Sequence, residues 1–173
     1  MLVAAMNPCP CGYYPDKNKC MCLPYQIQKY LAHISGPILD RIDVVSQTTS
    51  MKEAYEEYQN KTPILTSEQM RKQVIGARTV QKERYLEYFG SDDSKWNAYL
   101  GEKEMEKLCV LDKEATSLAG KLVDKFSLSG RAFHSIMKVS RTIADLENSE
   151  KISEKHLAEA ASYRLGFERY FHG

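Results

Sequence analysis

The chain has 173 residues, with 24 Lys and Arg against 23 Asp and Glu and a formal net charge of +1. That balance excludes a strongly basic nucleic-acid coat and an acidic solvating tail. With 9 Gly, 6 Pro, a 43% hydrophobic share and 27% charged residues, low-complexity and collagen-like chains are excluded too, which leaves a soluble globular protein of one medium domain or two small ones.

The first element is odd. Leu2-Val3-Ala4-Ala5-Met6 reads as a short apolar strand stopped by Asn7-Pro8, the pattern of a strand buried on both faces of a parallel sheet. Such a strand needs neighbours on both sides, and a second candidate, Ile42 to Gln47, does not complete a stable sheet with it. The expectation is that the chain is the C-terminal part of something longer; a frayed first strand on an independent domain is the alternative. No apolar run approaches the roughly 18 residues that span a bilayer. Leu2 to Met6 is also too short for a signal peptide and has no basic residue before it. Cys9, Cys11, Cys20, Cys22 and Cys109 without a secretory signal point to a reducing compartment, so the expected location is cytoplasmic, with no membrane association.

Beyond about residue 50 the pattern turns helical. Thr66-Ser67-Glu68-Gln69 has the form of a capping box, and Met70, Val74 and Ala77 follow at helical spacing. A helix over 66–89 then carries Arg71, Arg78, Lys82 and Arg84 on its wetter side. Shorter helical patterns run near 100–108 and 112–126, the second started by Asp112. Ser129 caps a helix over 129–147, and Ser153 caps a last one reaching about 171. Stretches 12–19, 48–63 and 90–96 read as loops. The outline is mainly α: the remnant of an α/β domain followed by a helical domain.

Three clusters have chemistry in them. Cys9-Pro10-Cys11 and Cys20-Met21-Cys22 form paired C-x-C knuckles, and four thiolates from two knuckles suit a tetrahedral, closed Zn²⁺ site. Free thiols and a redox pair are the other readings, since C-x-x-C is the usual zinc spacing; Cys109, alone in a helical stretch, reads as core. The second cluster is Ile34-Ser35-Gly36-Pro37-Ile38-Leu39-Asp40-Arg41-Ile42-Asp43. There Gly-Pro breaks the chain and Arg41 either offers its guanidinium fork to a phosphate or pairs with Asp40 or Asp43. The third is the 129–147 helix, with Ala132, Ile136, Val139, Ile143 and Leu146 on an apolar stripe and Arg131, His134, Lys138 and Arg141 opposite. Arg141 and Asp145 are spaced for an i,i+4 pair, and Arg131 lies in the first turn, where free N–H groups favour anions. There is no G-x-x-x-x-G-K-[ST] loop: Ala115 stands where Gly120-Lys121 needs a first glycine. His33, His134, His156 and His172 show neither metal-ligand spacing nor a partnered nucleophile, so catalysis by this chain alone is not supported.

These residues together resemble a family. Val3 through Tyr14, Cys20-x-Cys22, Ile34-Ser35-Gly36-Pro37 and Leu39-Asp40-Arg41-Ile42-Asp43 are similar to the magnesium-chelatase-like AAA+ ATPases of the YifB/ComM type. Ala77-Arg78, Gln81, Arg84, Asn97-Ala98 and Leu128-Ser129-x-Arg131-Ala132 match the family's C-terminal part. So do Lys138-Val139-x-Arg141-Thr142-Ile143-Ala144-Asp145-Leu146 and His156-Leu157-x-Glu159-Ala160-x-x-Tyr163-Arg164. The resemblance implies the end of an AAA+ core with its cysteine cluster over 1–65 and a helical lid over 66–173. It also implies a parent protein that binds ATP and Mg²⁺, lying outside these residues with its phosphate loop and Walker B acids. Asn7 resembles sensor 1, Arg41 the arginine finger offered to a neighbouring subunit, and Arg131 the sensor 2 arginine of the lid. The implied assembly is a homo-oligomeric, hexameric ring, and the implied task is ATP-driven remodelling of DNA, as in branch migration. A non-catalytic zinc-stabilised interaction module and a metal-inserting chelatase motor are the alternatives. His33, Ser135, Pro15 and Val44-Val45-Ser46-Gln47 depart from the family pattern. Two of these departures remove cations, which limits any exposed basic DNA track.

Overall fold

A computed structural model of the chain describes residues 2–39, 41–48, 55, 56, 59, 65–90 and 96–171. They divide into two compact units, Met1–Ile42 with Leu165–Gly173, and Asp43–Arg164. The fold is mainly helical. Among the described residues, β pairing is confined to one parallel bridge between Leu111 and Ile152. No helix among them is long and apolar enough to cross a membrane.

In the first unit the apolar segment forms neither helix nor strand, with Leu2 75% and Val3 80% exposed. The strand expected there lacks a ladder because no described segment offers its backbone a partner. The chain then turns repeatedly before α1 (Pro24–Leu31), whose proline sits where a helix needs no N–H. Leu23 N–H is held by the Gln26 side chain at 2.9 Å. The Gly36-Pro37 pair, expected to break the chain, instead opens a single helical turn, α2 (Gly36–Leu39). Here too proline falls at a position where its missing donor is harmless, and Ile38 and Leu39 N–H groups both reach Ser35 O.

The second unit follows the expected outline closely. Helix α3 (Ser67–Phe89) starts at a reciprocal Thr66–Gln69 capping box, with bonds of 2.8 and 3.2 Å, and stops at Gly90 with φ +63°. A 3₁₀ turn (Asn97–Tyr99) leads into α4 (Glu102–Leu108). Asp112 caps α5 (Lys113–Phe126) through Ala115 N–H at 2.7 Å, and Ser129 caps α6 (Gly130–Leu146) through Ala132 N–H at 3.2 Å. Helix α7 (Glu154–Phe171) begins after Ser153, whose N–H donates to His156 Nδ1 at 3.0 Å. The expected 48–63 and 90–96 loops lie mostly outside the described residues.

Packing centres on α6, which meets α3, α4 and the 3₁₀ turn. Leu100, Met105, Leu108, Ile136, Ile152 and Leu157 are buried there. The Leu111–Ile152 bridge joins the two helix connections, with Asp112 N–H on Ile152 O and Ile152 N–H on Val110 O. Instead of forming a strand, the segment after Ile42 is pinned to helices: Val45 N–H donates to Tyr163 O at 3.0 Å. Ser135 Oγ donates to the Asp43 carboxylate at 2.5 Å.

The α6 stripe is rotated from its expected position. Ala132 and Ile136 are buried, but Leu146 is 48% exposed, and Ser135, Ser140, Arg141 and Asp145 share the buried side. Likewise Arg84, expected on the wet side of α3, points inward with 14% of its side chain exposed. Both shifts have one cause: polar groups are stably buried when they find partners, and Arg84 and Arg141 find Asp145, Ser135 finds Asp43 and Ser140 the Ile136 carbonyl.

Candidate functional site

The two cysteine knuckles come together. Cys9 Sγ lies 3.4 Å from Cys11 Sγ and 3.8 Å from Cys20 Sγ, Cys11 and Cys20 are 3.6 Å apart, and all four sulfurs fall within 4.8 Å of one another. A tetrahedral ion with metal–sulfur bonds of about 2.3 Å has sulfurs spaced by about 3.8 Å. The donor set therefore fits a thiophilic divalent cation in size as well as in chemistry. Cys9 is fully buried and accepts Tyr14 N–H at 3.4 Å, while Cys11 is exposed and Cys20 and Cys22 are half-buried.

The acidities of the thiols diverge. The Tyr13 backbone amide, opposed by desolvation, brings Cys11 down to about 6. For Cys20 the Cys22 backbone amide favours the thiolate, but desolvation and the sulfurs of Cys11 and Cys9 outweigh it and push the thiol up to about 12. Cys22 is raised as well, despite help from the Cys11 backbone amide. One thiolate forms readily and makes its neighbours harder to ionise. A bound divalent cation reverses that penalty, which is how four thiolates can coexist. Cys109 is different: it is buried at the end of α4, and burial pushes its thiol up to about 11 although Arg141 and Arg84 pull the other way. It is a core residue.

Asn7 is exposed and sits beside the knuckle. A β-carbon placed on Gly12, at φ +82°, would meet its side-chain amide at 3.7–3.9 Å. Arg41 is exposed, and its Nη1 donates to Pro37 O at 2.5 Å, closing the end of α2. The Asp43 carboxylate, one of the two expected partners of Arg41, accepts from Ser135 instead; Asp40, the other, lies outside the described residues. Arg131 belongs to the second unit, exposed in the first turn of α6. Among the described residues no hydrogen bond or ion pair involves it.

The arginines that sequence reasoning placed near solvent and that the fold buries form a polar hub. Arg84 Nη1 and Nη2 bind the two Asp145 oxygens at 2.5 and 2.9 Å, and Arg141 Nε binds Asp145 Oδ1 at 3.0 Å. Asn97 Nδ2 donates to Asp145 Oδ2 at 2.8 Å and to Thr142 Oγ1 at 3.1 Å, and its Oδ1 accepts from Arg84. Arg141 also donates to the Glu150 and Ser149 carbonyls at 2.8 and 2.5 Å, closing the end of α6. Its side chain is 0% exposed, and burial lowers its affinity for a proton while Asp145 partly restores it. Arg84 Nε is buried without a partner. The i,i+4 spacing of Arg141 and Asp145 was a legible signal; the convergence of Arg84 and Asn97 on the same carboxylate was not. A pocket of about 440 Å³ lined by Phe89 and Gly101–Glu104 gathers no further titratable cluster beyond the acids of α4.

Comparison with known proteins agrees with these residues. A family model for the magnesium chelatase subunit ChlI matches residues 1–56, and one for the C-terminal part of that subunit matches residues 65–164. The chain is 42% identical over 164 residues to competence protein ComM of Haemophilus influenzae. It is 38% identical over 164 residues to YifB of Escherichia coli and 37% over 174 residues to YifB of Salmonella typhimurium. Each alignment covers 94% of this chain and 30% of the relative, so the chain spans less than a third of the length of the curated relatives it matches.

Proposed function

The chain belongs to the magnesium chelatase ChlI family of AAA+ proteins, and on that premise we propose that it is the sensor and lid portion of a ring-forming ATPase that remodels DNA. Asn7 positions water near the terminal phosphate of a bound nucleotide. Arg41 reaches the nucleotide of a neighbouring subunit, and Arg131 reads the phosphates from the helical side. The kinship with a competence protein directs the reading toward DNA. The near-zero net charge limits how much of that affinity this portion supplies itself.

One observation carries the assignment. The fold sorts these four arginines: Arg84 and Arg141 are consumed by Asp145, whereas Arg41 and Arg131 are exposed residues, Arg41 with only its Nη1 engaged among the described residues, on Pro37 O. A residue that meets transition-state charge must keep its fork available. Arg131 also stands at a helix start, where backbone N–H groups add to the attraction for phosphate. Nucleotide with Mg²⁺ supplies the reacting phosphoryl group; the residues here bind, orient and neutralise it. The four thiols are read as a closed zinc site, which leaves no open coordination position for chemistry.

The test is made in the full-length protein. Arg41→Ala is expected to lower ATP turnover by about 10³-fold or more while leaving nucleotide binding largely intact. Arg41→Lys should not restore it, because an ammonium lacks the bidentate fork. Turnover unchanged in Arg41→Ala removes the finger assignment. Stimulation of wild-type turnover by branched DNA separates DNA remodelling from the reading of a zinc-stabilised module without ATPase activity.

A further inference from the structure

Asn7 stands just before a turn of the cysteine site. Pro8 and Cys9 follow Asn7 directly, and the Cys9–Gly12 turn closes with Gly12 N–H on Cys9 O at 3.0 Å. Within that turn two of the four sulfur donors, Cys9 and Cys11, stand two residues apart. Gly12 holds φ +82°, which L side chains rarely adopt, and a β-carbon there would meet the Asn7 amide at 3.7–3.9 Å, so that amide lies against the space the glycine leaves open. The Tyr14 N–H on Cys9 Sγ at 3.4 Å is a second tie across the turn. Residues 2–7 are exposed, as are Cys11, Tyr13 and residues 15–19, and Cys9 is the one residue of 2–22 that is buried.

We propose that the cation held by Cys9, Cys11, Cys20 and Cys22 is a positioning ion: it locks the Cys9–Gly12 turn and so holds the side-chain amide of Asn7 in a single orientation. The physical argument is one of competition. Four sulfurs within 4.8 Å repel one another once ionised, and among the described residues 2–22 Cys9 alone is buried, so little apolar packing there opposes the opening of the turn. A thiophilic divalent cation converts that repulsion into four bonds and releases the remaining thiol protons to solvent. The ordered turn then fixes the space beside Gly12 against which the Asn7 amide lies. The site is thus more than a staple for a small unit, because the residue read as sensor 1 stands only two positions before its first sulfur donor. The consequence for catalysis rests on that reading of Asn7; the positioning itself does not.

The 173-residue chain is labelled with ¹⁵N, stripped of metal under reducing conditions and titrated with Zn²⁺. The side-chain amide pair of Asn7, identified by its loss in Asn7→Ser, is followed alongside the backbone signals of α6. The expected result is saturation at about one ion per chain, with the Asn7 pair shifting in step with binding, returning on chelation, and α6 unmoved. Co²⁺ in place of Zn²⁺ should give the absorption of a tetrahedral four-thiolate site. Gly12→Ala should weaken binding roughly tenfold through the strained turn. At saturation it should leave the Asn7 pair away from its wild-type position. The proposal is overturned if no ion binds, if the Asn7 pair stays still while the ion saturates, or if α6 shifts equally. None of these outcomes depends on ATP turnover, so a failure here is distinct from a failure of the Arg41 test.

Discussion

The two compact units are held together by opposite means. Around residues 9–22 the chain is exposed, its turns are short, and four sulfurs supply the only dense cluster. Around α6 an apolar core surrounds a buried carboxylate that two guanidiniums and an amide share. The first arrangement offers a thiophilic ion four donors; the second draws its charge balance from its own side chains. A small region without enough apolar surface to bury needs an external cross-link. A larger helical region can afford internal charges only because every strong acceptor on Asp145 is used.

Removing metal should break this comparison most sharply. Chelation is expected to abolish amide-exchange protection in residues 9–22 while leaving α3 to α6 protected, because the free energy of binding a structural ion is folding free energy for its own site alone. Equal loss of protection in both units would show that they are not independently held. Asp145→Ala tests the other side. It leaves Arg84 and Arg141 buried without their counter-charge, and a destabilisation of about 3–5 kcal/mol is expected by urea denaturation of the helical unit. Cysteine metal stoichiometry should be unchanged. A loss below about 1 kcal/mol would mean that water replaces the carboxylate and the hub is less buried than its geometry indicates.

The smallest effect concerns acid. Lys155 first, and then His156, hold the Glu147 carboxyl below its ordinary range by hydrogen bonding. A depressed carboxyl contributes stability that is present above its unfolded value and lost as pH falls through the folded one. Glu147 is 44% exposed, so the contribution is screened and small. Glu147→Gln should therefore narrow the gap between wild-type and variant stability only as pH drops below the usual carboxylate range. Denaturation midpoints compared at neutral and acid pH provide the check. A gap that widens on acidification would reverse the assigned sign.

Much of this molecule was legible in its residues. Thr66, Asp112 and Ser129 each begin a helix as their side chains predict, since capping is a contest between a few neighbouring groups, whereas the Ser153 hydroxyl meets the His156 ring instead of a helix N–H. The paired C-x-C knuckles do converge, because two ligands on each short knuckle need only one reversal of the chain to meet. Local rules were weaker where position depends on what lies opposite. Gly36-Pro37 reads as a break by itself yet starts α2, and Leu2–Met6 has strand character without a described partner to use it.

By itself, then, the sequence determined helix starts, the four cysteines that converge and the family, all of which rest on contacts or patterns a few residues long. Only the tertiary structure decided which arginines are spent. Arg84 and Arg141 looked as wet as Arg131 on a helical wheel, and a wheel cannot show that Asn97 and Asp145 wait on the inner side. Burying a guanidinium is favourable only when partners distant in sequence converge on it, and that convergence is a property of packing rather than of any single helix.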